Sequence, residues 1–258
     1  MRYEFDGAEY RKASTHQKEW GARLIDELRL AGNEDILDLG CGDGVLTARL
    51  AELVPHGSVL GIDSSVGMIG SAAEHVQPNL SFRLMDISEI DFARAFDVIF
   101  SNATLHWVKD HQNPLARVHS ALRPGGIARF NFAANGNCAE FFEVVQEVMA
   151  RPDHRLHFAD FEWPWYMPKI EDYRRLLQDS PFDDARVWGE NADRAFPSAE
   201  SLTGWIDQPS IVPFLQPLPA EDRRRFRDTV VQRMIARTGR PDGTYFVSFR
   251  RINVFAVR

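Results

Sequence analysis

The chain has 258 residues, of which 44% are hydrophobic, and a formal net charge of −7 at pH 7. This length and composition favour a single globular domain, 1–258, over two independent ones. The acidic balance argues against a nucleic-acid partner, which normally requires a basic surface. The first residues already mix polar and apolar side chains, so we expect neither a secretion signal nor a membrane span, and hence a cytoplasmic protein with no membrane partner.

The first predicted elements are one or two helices over residues 5–29, because apolar and aromatic side chains recur there mostly on one face. An apolar strand over 36–39 follows and ends in three alternate glycines, Gly40, Gly42 and Gly44. A helical pattern comes next, so this segment predicts a strand, a tight turn and a helix. Glycines allow unusual φ values and let a ligand approach the backbone closely. We therefore predict a ligand-binding loop after the first strand.

Two kinds of nucleotide cofactor fit such a loop, and the glycine spacing separates them. A dinucleotide fingerprint needs Gly-x-Gly-x-x-Gly, but Val45 and Thr47 stand where its last glycine would be. Asp38, two residues before the first glycine, would repel a pyrophosphate and attract an ammonium group. S-adenosylmethionine carries an amine and a sulfonium but no phosphate, so the loop favours this cofactor.

Carboxylates end the next two predicted strands. Asp63 ends a strand over 58–63, about 20 residues past the glycines, where ribose hydroxyls are usually held. Asp86 ends an alternating strand over 80–86, in a position to accept a hydrogen bond from the adenine amino group, with Ile87 beside the ring. Both carboxylates are therefore predicted to bind the nucleoside part of the cofactor.

A fourth predicted strand, 96–101, runs into Asn102, and the turn Leu-Arg-Pro-Gly-Gly at 122–126 leads into a fifth strand over 127–132. Over residues 30–133 the chain thus resembles the class I S-adenosylmethionine-dependent methyltransferases. The resemblance implies a doubly wound α/β fold with a mostly parallel, seven-stranded, Rossmann-like sheet. It also implies S-adenosyl-L-methionine as cofactor and S-adenosyl-L-homocysteine as product. The cofactor-binding residues it implies are Asp38, Gly40, Cys41, Gly42, Asp63, Ser64, Met68, Asp86, Ile87, Ser101 and Asn102.

The remainder of the chain is predicted to form the substrate side of the protein. Residues 134–182 are predicted to form a lid, because their central part is rich in tryptophan and proline. A sixth strand is predicted over 185–195, a helical cap insertion over 197–240, and one long strand or a strand pair over 245–257. We expect the helices at 5–29, the lid and the cap to determine substrate selectivity.

The segment Leu105-His106-Trp107-Val108 follows the fourth strand, at the sheet edge where the methyl group should lie. His106 is a candidate base and Trp107 a candidate hydrogen-bond donor, although both side chains could simply pack or face solvent. Together with Tyr10 and Gln17, this segment resembles the trans-aconitate and juvenile hormone acid methyltransferases. The resemblance implies that Gln17 and Trp107 hold the carboxylate of the acceptor.

We therefore expect a methyltransferase that acts on the carboxylate of a small organic acid. A carboxylate has a pKa of about 4, so it is ionised at neutral pH and needs no base. Arginines of the cap, such as Arg224 or Arg233, are candidates to balance further carboxylates of the acid. The same arginine-rich helix could equally be a solvated face.

Three alternatives remain open from the sequence. A phenol, an amine or a carrier-bound malonyl group would normally need a general base, such as His106. Thiol or arsenic methylation commonly uses cysteines near the acceptor, but the chain offers only Cys41 and Cys138, which we predict to be free thiols that form no metal site. The third alternative is a protein that binds S-adenosylmethionine without transferring its methyl group.

Overall fold

The computed structural model describes residues 15–258, without the side chains of residues 15, 16 and 209. Helix α1, Thr15–Asp26, precedes the first strand. Tyr10 and the rest of the helical prediction over 5–14 lie outside the described residues. Within the described part of the chain, no helix combines the length and the apolar character needed to cross a membrane.

A seven-stranded sheet forms the centre of the fold and confirms the predicted fold class. Its strands are β1 Asp35–Leu39, β2 Ser58–Asp63, β3 Leu80–Leu84, β4 Phe96–Asn102, β5 Leu122–Ala133, β6 Asp184–Asn191 and β9 Arg250–Val257. They lie in the order β3-β2-β1-β4-β5-β9-β6. The pairs from β3 to β5 are parallel, whereas β9 is antiparallel to β5. The strand order reverses between β1 and β4, which is where doubly wound sheets bind ligands at the carboxyl ends of their strands.

Alternation along the strands places apolar side chains on both faces of the sheet. In β1, Leu37 and Leu39 belong to one buried cluster and Ile36 to the other. Leu24 and Ile25 of α1 cover the second face. The remaining helices are α2 Val45–Leu53, α3 Val66–Ala72, α4 Gln112–Ala121, α5 Ala139–Met149, α6 Ile170–Gln178, α7 Ala199–Trp205, α8 Val212–Leu215 and α9 Ala220–Thr238.

The chain divides into two compact units. The first contains the described residues up to Asn135 together with Trp165–Glu190 and Arg251–Arg258, and the second contains Gly136–Pro164 and Asn191–Arg250. Inside the second unit, α5 and α7 pack through the rings of Phe141 and Trp205, whose centroids are 5.6 Å apart. The roles of residues 134–182 as a lid and of 197–240 as a cap remain predictions.

Several predicted strand boundaries differ from the structure. The third strand ends at Leu84 instead of residue 86, and the fifth begins at Leu122, so it includes the predicted turn at 122–126. The segment 185–195 forms two strands in different sheets, β6 and then β7, Arg194–Phe196, which pairs with β8, Tyr245–Val247. Asp193, between β6 and β7, accepts a hydrogen bond from Phe249 N at 2.9 Å, so a local polar contact replaces strand pairing there. Residues 245–257, predicted as one long strand or a strand pair, form two separate strands, β8 and β9.

Candidate functional site

The glycine loop between β1 and α2 is shaped by positive φ angles. Gly40 has a φ of 72° and Gly42 a φ of 55°. A Cβ on Gly40 would overlap Thr104, whose hydroxyl donates to Gly40 O at 3.0 Å. A Cβ on Gly42, by contrast, would meet nothing within 4 Å. Gly40 therefore allows close packing inside the protein, whereas Gly42 keeps the outer side of the loop open to a ligand.

Asp63 joins the end of β2 to this loop. One carboxylate oxygen accepts from Gly42 N at 3.0 Å, and the other accepts from Ser65 N at 2.9 Å. Ser64, the residue between Asp63 and Ser65, is half-buried, and Met68, in the first turn of α3, is buried. An ionised carboxylate has about four acceptor positions, and the hydroxyl groups of a ligand are donors of the kind that it binds.

Asp38 is buried beneath the loop, with 2% of its surface exposed. Burial raises the pKa of this carboxyl to about 7, and the nearby charge of Asp63 acts in the same direction. The hydroxyl of Thr47 opposes the shift by donating to Asp38 at 2.7 Å. A cationic group bound nearby would favour the ionised form of Asp38.

Cys41 is a buried thiol in the same loop. Burial, reinforced by the charges of Asp38 and Asp63, raises its pKa well above the usual value. A thiol in this environment stays protonated and is a poor nucleophile. Cys41 can therefore offer a ligand its backbone, whereas its sulfur is unsuited to catalysis.

Asp86 lies at the end of the third strand segment, next to a short helical turn at Ile87–Glu89. Its carboxylate accepts from Ser88 N at 2.9 Å and from Ser88 Oγ at 2.7 Å. Ile87 is buried. The turn thus fixes one oxygen of Asp86 and presents an apolar side chain directly after it.

At the end of β4, Ser101 and Asn102 have different environments. Ser101 is fully buried, and its hydroxyl donates to Leu39 O at 2.8 Å, which ties β4 to β1. Asn102 donates from Nδ2 to Gln17 O at 2.9 Å. Within residues 15–258, its Oδ1 is buried without a hydrogen-bond partner, and so is Oε1 of Gln17. Buried acceptors without partners are uncommon in folded proteins and suggest that a ligand supplies the donor.

Gly21 allows α1 to approach the end of β4. A Cβ at this position would overlap Leu46 and lie 2.9 Å from Nδ2 of Asn102. The contact between Gln17 and Asn102 therefore depends on a glycine one helical turn after Gln17. This arrangement brings α1 to the carboxyl edge of the sheet.

His106 and Trp107 lie in a short helical turn, Leu105–Trp107, directly after β4. The Trp107 ring is 5.1 Å from the Trp165 ring. Nδ1 of His106 is buried and has no hydrogen-bond partner among the described residues. Burial lowers the pKa of His106 to about 3, and the positive charge of Arg251 contributes to this shift. His106 is therefore neutral at ordinary pH and a weak base.

The neighbouring His111 holds this turn in place. Its Nε2 lies 3.0 Å from Leu105 O and its Nδ1 lies 2.9 Å from the hydroxyl of Tyr173. Because a carbonyl can only accept, Nε2 carries the proton and Nδ1 accepts from Tyr173. Burial lowers the pKa of His111 to about 4, which keeps the ring neutral.

The arginines of α9 that were candidates for binding an acid have carboxylate neighbours inside the second unit. Arg233 donates to Glu147 at 2.8 Å. Arg224 has 92% of its side chain exposed and lies 3.8 Å from Asp228. The solvated, ion-paired helix face is therefore the better description of this cluster.

Two buried polar residues at the end of the sheet were not predicted from the sequence. Asn131 in β5 and Arg251 in β9 each have 3% of their surface exposed. Each stands in a mostly apolar strand, in which Arg129 and Asn253 are also buried, and this polar interruption is the one signal that the sequence offered. In the sequence, Arg251 is the second residue of the basic pair Arg250-Arg251 that opens the last strand.

Comparison with known proteins gives consistent similarities. A family model described as a methyltransferase domain matches residues 36–126. The trans-aconitate 2-methyltransferase of Deinococcus radiodurans is 32% identical over 228 residues, which are 86% of this chain and 86% of that protein.

Two solved structures share the fold. The YcgJ protein of Bacillus subtilis has a TM-score of 0.64 and 14% identity, over 93% of this chain and 98% of that chain. A phosphoethanolamine N-methyltransferase 2 of Haemonchus contortus, in complex with S-adenosyl-L-methionine, has a TM-score of 0.63 and 16% identity, over 98% of this chain and 56% of that chain.

Proposed function

Since the chain belongs to the trans-aconitate methyltransferase group of the class I S-adenosylmethionine-dependent methyltransferases, we propose that its acceptor is the carboxylate of a small organic acid. S-adenosylmethionine is the cofactor and S-adenosylhomocysteine the product. The observation that carries the choice of acceptor is the lowered pKa of His106, which leaves the turn after β4 with a poor base. A carboxylate is ionised at neutral pH and needs no base, unlike a phenol or a protonated amine.

The residues at the carboxyl edge fit the cofactor. The open side of Gly42 leaves room for a ligand against the loop backbone of Gly40 and Cys41. The buried side-chain oxygens of Asn102 and Gln17 accept no hydrogen bond from the described residues. The ammonium group of the cofactor is a donor and would bind to them. The buried Asp38 supplies negative charge close to the same loop.

We assign the nucleoside part of the cofactor to the ends of β2 and β3. Asp63 would accept from the ribose hydroxyls, because its two oxygens are already oriented by backbone donors. Ser64 and Met68 would line the same side. Asp86 would accept from the adenine amino group and Ile87 would pack on the ring. Ser101 contributes by fixing the strand end, because its hydroxyl is engaged with Leu39 O.

Methyl transfer to an acid requires alignment more than proton transfer. S-adenosylmethionine supplies an activated methyl group, which a carboxylate oxygen takes as the carbon–sulfur bond breaks and its electron pair stays on sulfur. No proton moves in this step. The protein therefore needs to hold the oxygen in line and exclude water.

Gln17 and Trp107 would hold the acceptor carboxylate through the amide Nε2 and the indole N–H. Gln17 is positioned by the contact of its backbone carbonyl with Asn102. Trp107 is positioned by its ring contact with Trp165 and by the His111 network below its turn. Both groups are hydrogen-bond donors that need no change of protonation state.

A methyl-transfer screen tests the proposal. The purified protein is incubated with methyl-labelled S-adenosylmethionine and with trans-aconitate, other di- and tricarboxylic acids, fatty and isoprenoid acids, phenols and amines. We expect a labelled product from one class of acids that mild base hydrolyses, as it does an ester. A base-stable product from a phenol or an amine would contradict the carboxylate acceptor. Tight cofactor binding without any product would favour the binding-only alternative.

A further inference from the structure

Thr104 lies between the glycine loop and the turn that carries His106 and Trp107, and it contacts both. Its hydroxyl donates to Gly40 O at 3.0 Å and also lies 3.2 Å from Asn102 O, so its single proton is directed at the ends of β1 and β4. Its own carbonyl accepts from Trp107 N at 2.9 Å. One half-buried residue therefore joins the loop proposed to hold the cofactor to the turn proposed to hold the acceptor.

The glycine loop is itself fixed on the sheet. Gly40 N donates to Ile62 O at 2.8 Å, and Cys41 N donates to the same carbonyl at 2.9 Å, which ties the loop to β2. The Thr104 side chain also fills the space beside Gly40, because a Cβ on this glycine would overlap Thr104 Cγ2. The hydroxyl bond and the close packing together set the distance between Thr104 and the loop backbone.

The residue before Thr104 has a backbone conformation that is unusual for its type. Ala103 has a φ of 57°, in the left-handed region that a Cβ disfavours. Its N–H donates to Asn131 O at 2.7 Å, so β5 helps to hold this conformation. Such strain persists only where surrounding contacts enforce it, and it is concentrated at functional sites. At Ala103 it turns the chain out of β4 and allows the Thr104 hydroxyl to reach Gly40.

In-line methyl transfer requires the acceptor oxygen to lie at a fixed distance and angle from the methyl group. The glycine loop would set the position of the methyl donor, and the indole N–H of Trp107 that of the carboxylate. Trp107 is the last residue of its turn, and its backbone is bonded to Thr104 O. A misplacement of about 1 Å can lower a rate roughly 100-fold. A shift of Thr104 would therefore misalign donor and acceptor while each stays bound.

We propose that Thr104 is a positioning residue that aligns the acceptor carboxylate with the methyl group, through its hydroxyl bond to the glycine loop and its backbone bond to Trp107. The inference rests on the proposed carboxylate acceptor and adds the residue that connects the donor side of the site to the acceptor side. Thr104 is assigned no contact with the reacting atoms, because it acts through Trp107.

The test compares Thr104→Val, which keeps the shape of the side chain but lacks the hydroxyl, with Thr104→Ser, which keeps the hydroxyl. Kinetics use the acid that the wild-type protein converts to an ester, and calorimetry measures the affinity for S-adenosylhomocysteine. For Thr104→Val we expect kcat to fall roughly 10- to 100-fold, because the carboxylate is bound but misaligned, with smaller changes in the KM for the acid and in S-adenosylhomocysteine affinity. Thr104→Ser should retain most of the wild-type kcat.

Ser120→Ala is a control for the loss of a hydroxyl. Ser120 also donates to a backbone carbonyl of the first unit, Ala116 O at 3.0 Å, but this bond lies within α4. The variant should therefore keep the wild-type kcat.

A double-mutant cycle with Trp107→Phe tests whether Thr104 acts through the indole. Phenylalanine has no N–H, so no donor remains on this turn side chain for Thr104 to align. Thr104→Val should therefore lower kcat much less in Trp107→Phe than in the wild type. A general loss of structure would lower kcat by the same factor in both backgrounds.

A wild-type kcat in Thr104→Val, or in Thr104→Ala if the first variant does not fold, would overturn the role of Thr104 and leave ester formation intact. The role is equally overturned if Thr104→Ser loses as much kcat as Thr104→Val, or if the effects of Thr104→Val and Trp107→Phe simply multiply. If the wild-type protein converts no acid to an ester, the proposed function fails, and the inference fails with it.

Discussion

The buried carboxyl of Asp38 connects cofactor binding to stability, and Asp38→Asn tests this connection. The pKa of Asp38 is about 7 in the folded, cofactor-free protein, against an ordinary value of 3.8. The folded state therefore binds more protons than the unfolded state between these two pH values. The free energy of unfolding consequently falls as pH rises through this window.

Asparagine at position 38 is uncharged at every pH, and its side-chain oxygen can still accept from Thr47. The difference in the free energy of unfolding, variant minus wild type, should therefore rise by about 2 to 3 kcal/mol from pH 5 to pH 8. Cofactor affinity should fall, because the ammonium group of the cofactor loses a negatively charged neighbour. Relative to the wild type, the variant is thus expected to gain stability between pH 5 and pH 8 and to bind S-adenosylhomocysteine more weakly.

Urea unfolding of both cofactor-free proteins at pH 5 and pH 8 measures the first effect, and calorimetric titration with S-adenosylhomocysteine measures the second. Asp35→Asn is the matched control, because Asp35 begins the same strand and hydrogen bonds from Ser58 and Arg123 lower its pKa. Because the pKa of Asp35 is not above 3.8 in either state, this control should show the same stability difference at pH 5 and at pH 8. A difference for Asp38→Asn that is the same at both pH values would refute the reasoning.

Four further substitutions test separate parts of the site. Asp63→Ala should weaken S-adenosylhomocysteine binding at least tenfold in calorimetry, at roughly 1.5 to 3 kcal/mol for each hydrogen bond lost to a charged group; unaltered affinity would mean that the ribose lies elsewhere. Trp107→Phe should raise the KM for the acid while S-adenosylhomocysteine affinity stays unchanged, whereas Gln17→Ala should raise this KM and also weaken S-adenosylhomocysteine binding, because Gln17 Oε1 is proposed to accept from the ammonium group; normal turnover in both would exclude the proposed carboxylate contacts. Arg233→Ala should leave the KM for the acid unchanged, because Glu147 already balances the charge of this arginine. A raised KM would instead indicate that the arginines of α9 contact the substrate.

The sequence could predict that the glycine loop and the strand ends proposed to bind the cofactor come together, because their signals are local. The glycines after β1 and the carboxylates at residues 63 and 86 each follow an apolar strand directly, and parallel strands bring their carboxyl ends together. The structure places Asp63 and Gly42 in direct contact, as that argument requires. Thr47 and its bond to Asp38 were not predicted, because a buried hydroxyl in a helix resembles any other small residue in sequence.

The buried polar pair Asn131 and Arg251 could not be predicted to the same extent because it depends on register between distant strands. Asn131 and Arg251 are 120 positions apart and meet only through the antiparallel pairing of β5 and β9. The cap arginines were more conspicuous in sequence, yet their charges are balanced by nearby carboxylates, as at Glu147. The break between β6 and β7 was also missed, since one polar contact at Asp193 ends the strand.

The central claim is that the methyl group is transferred to a carboxylate oxygen. The most direct measurement is the NMR spectrum of the product made with carbon-13 methyl-labelled S-adenosylmethionine and the acid that gives turnover. The account predicts that the labelled carbon is bonded to an ester oxygen and shows a three-bond coupling from its protons to the carboxyl carbon. A labelled carbon on nitrogen, on an aromatic oxygen or on another carbon would contradict it.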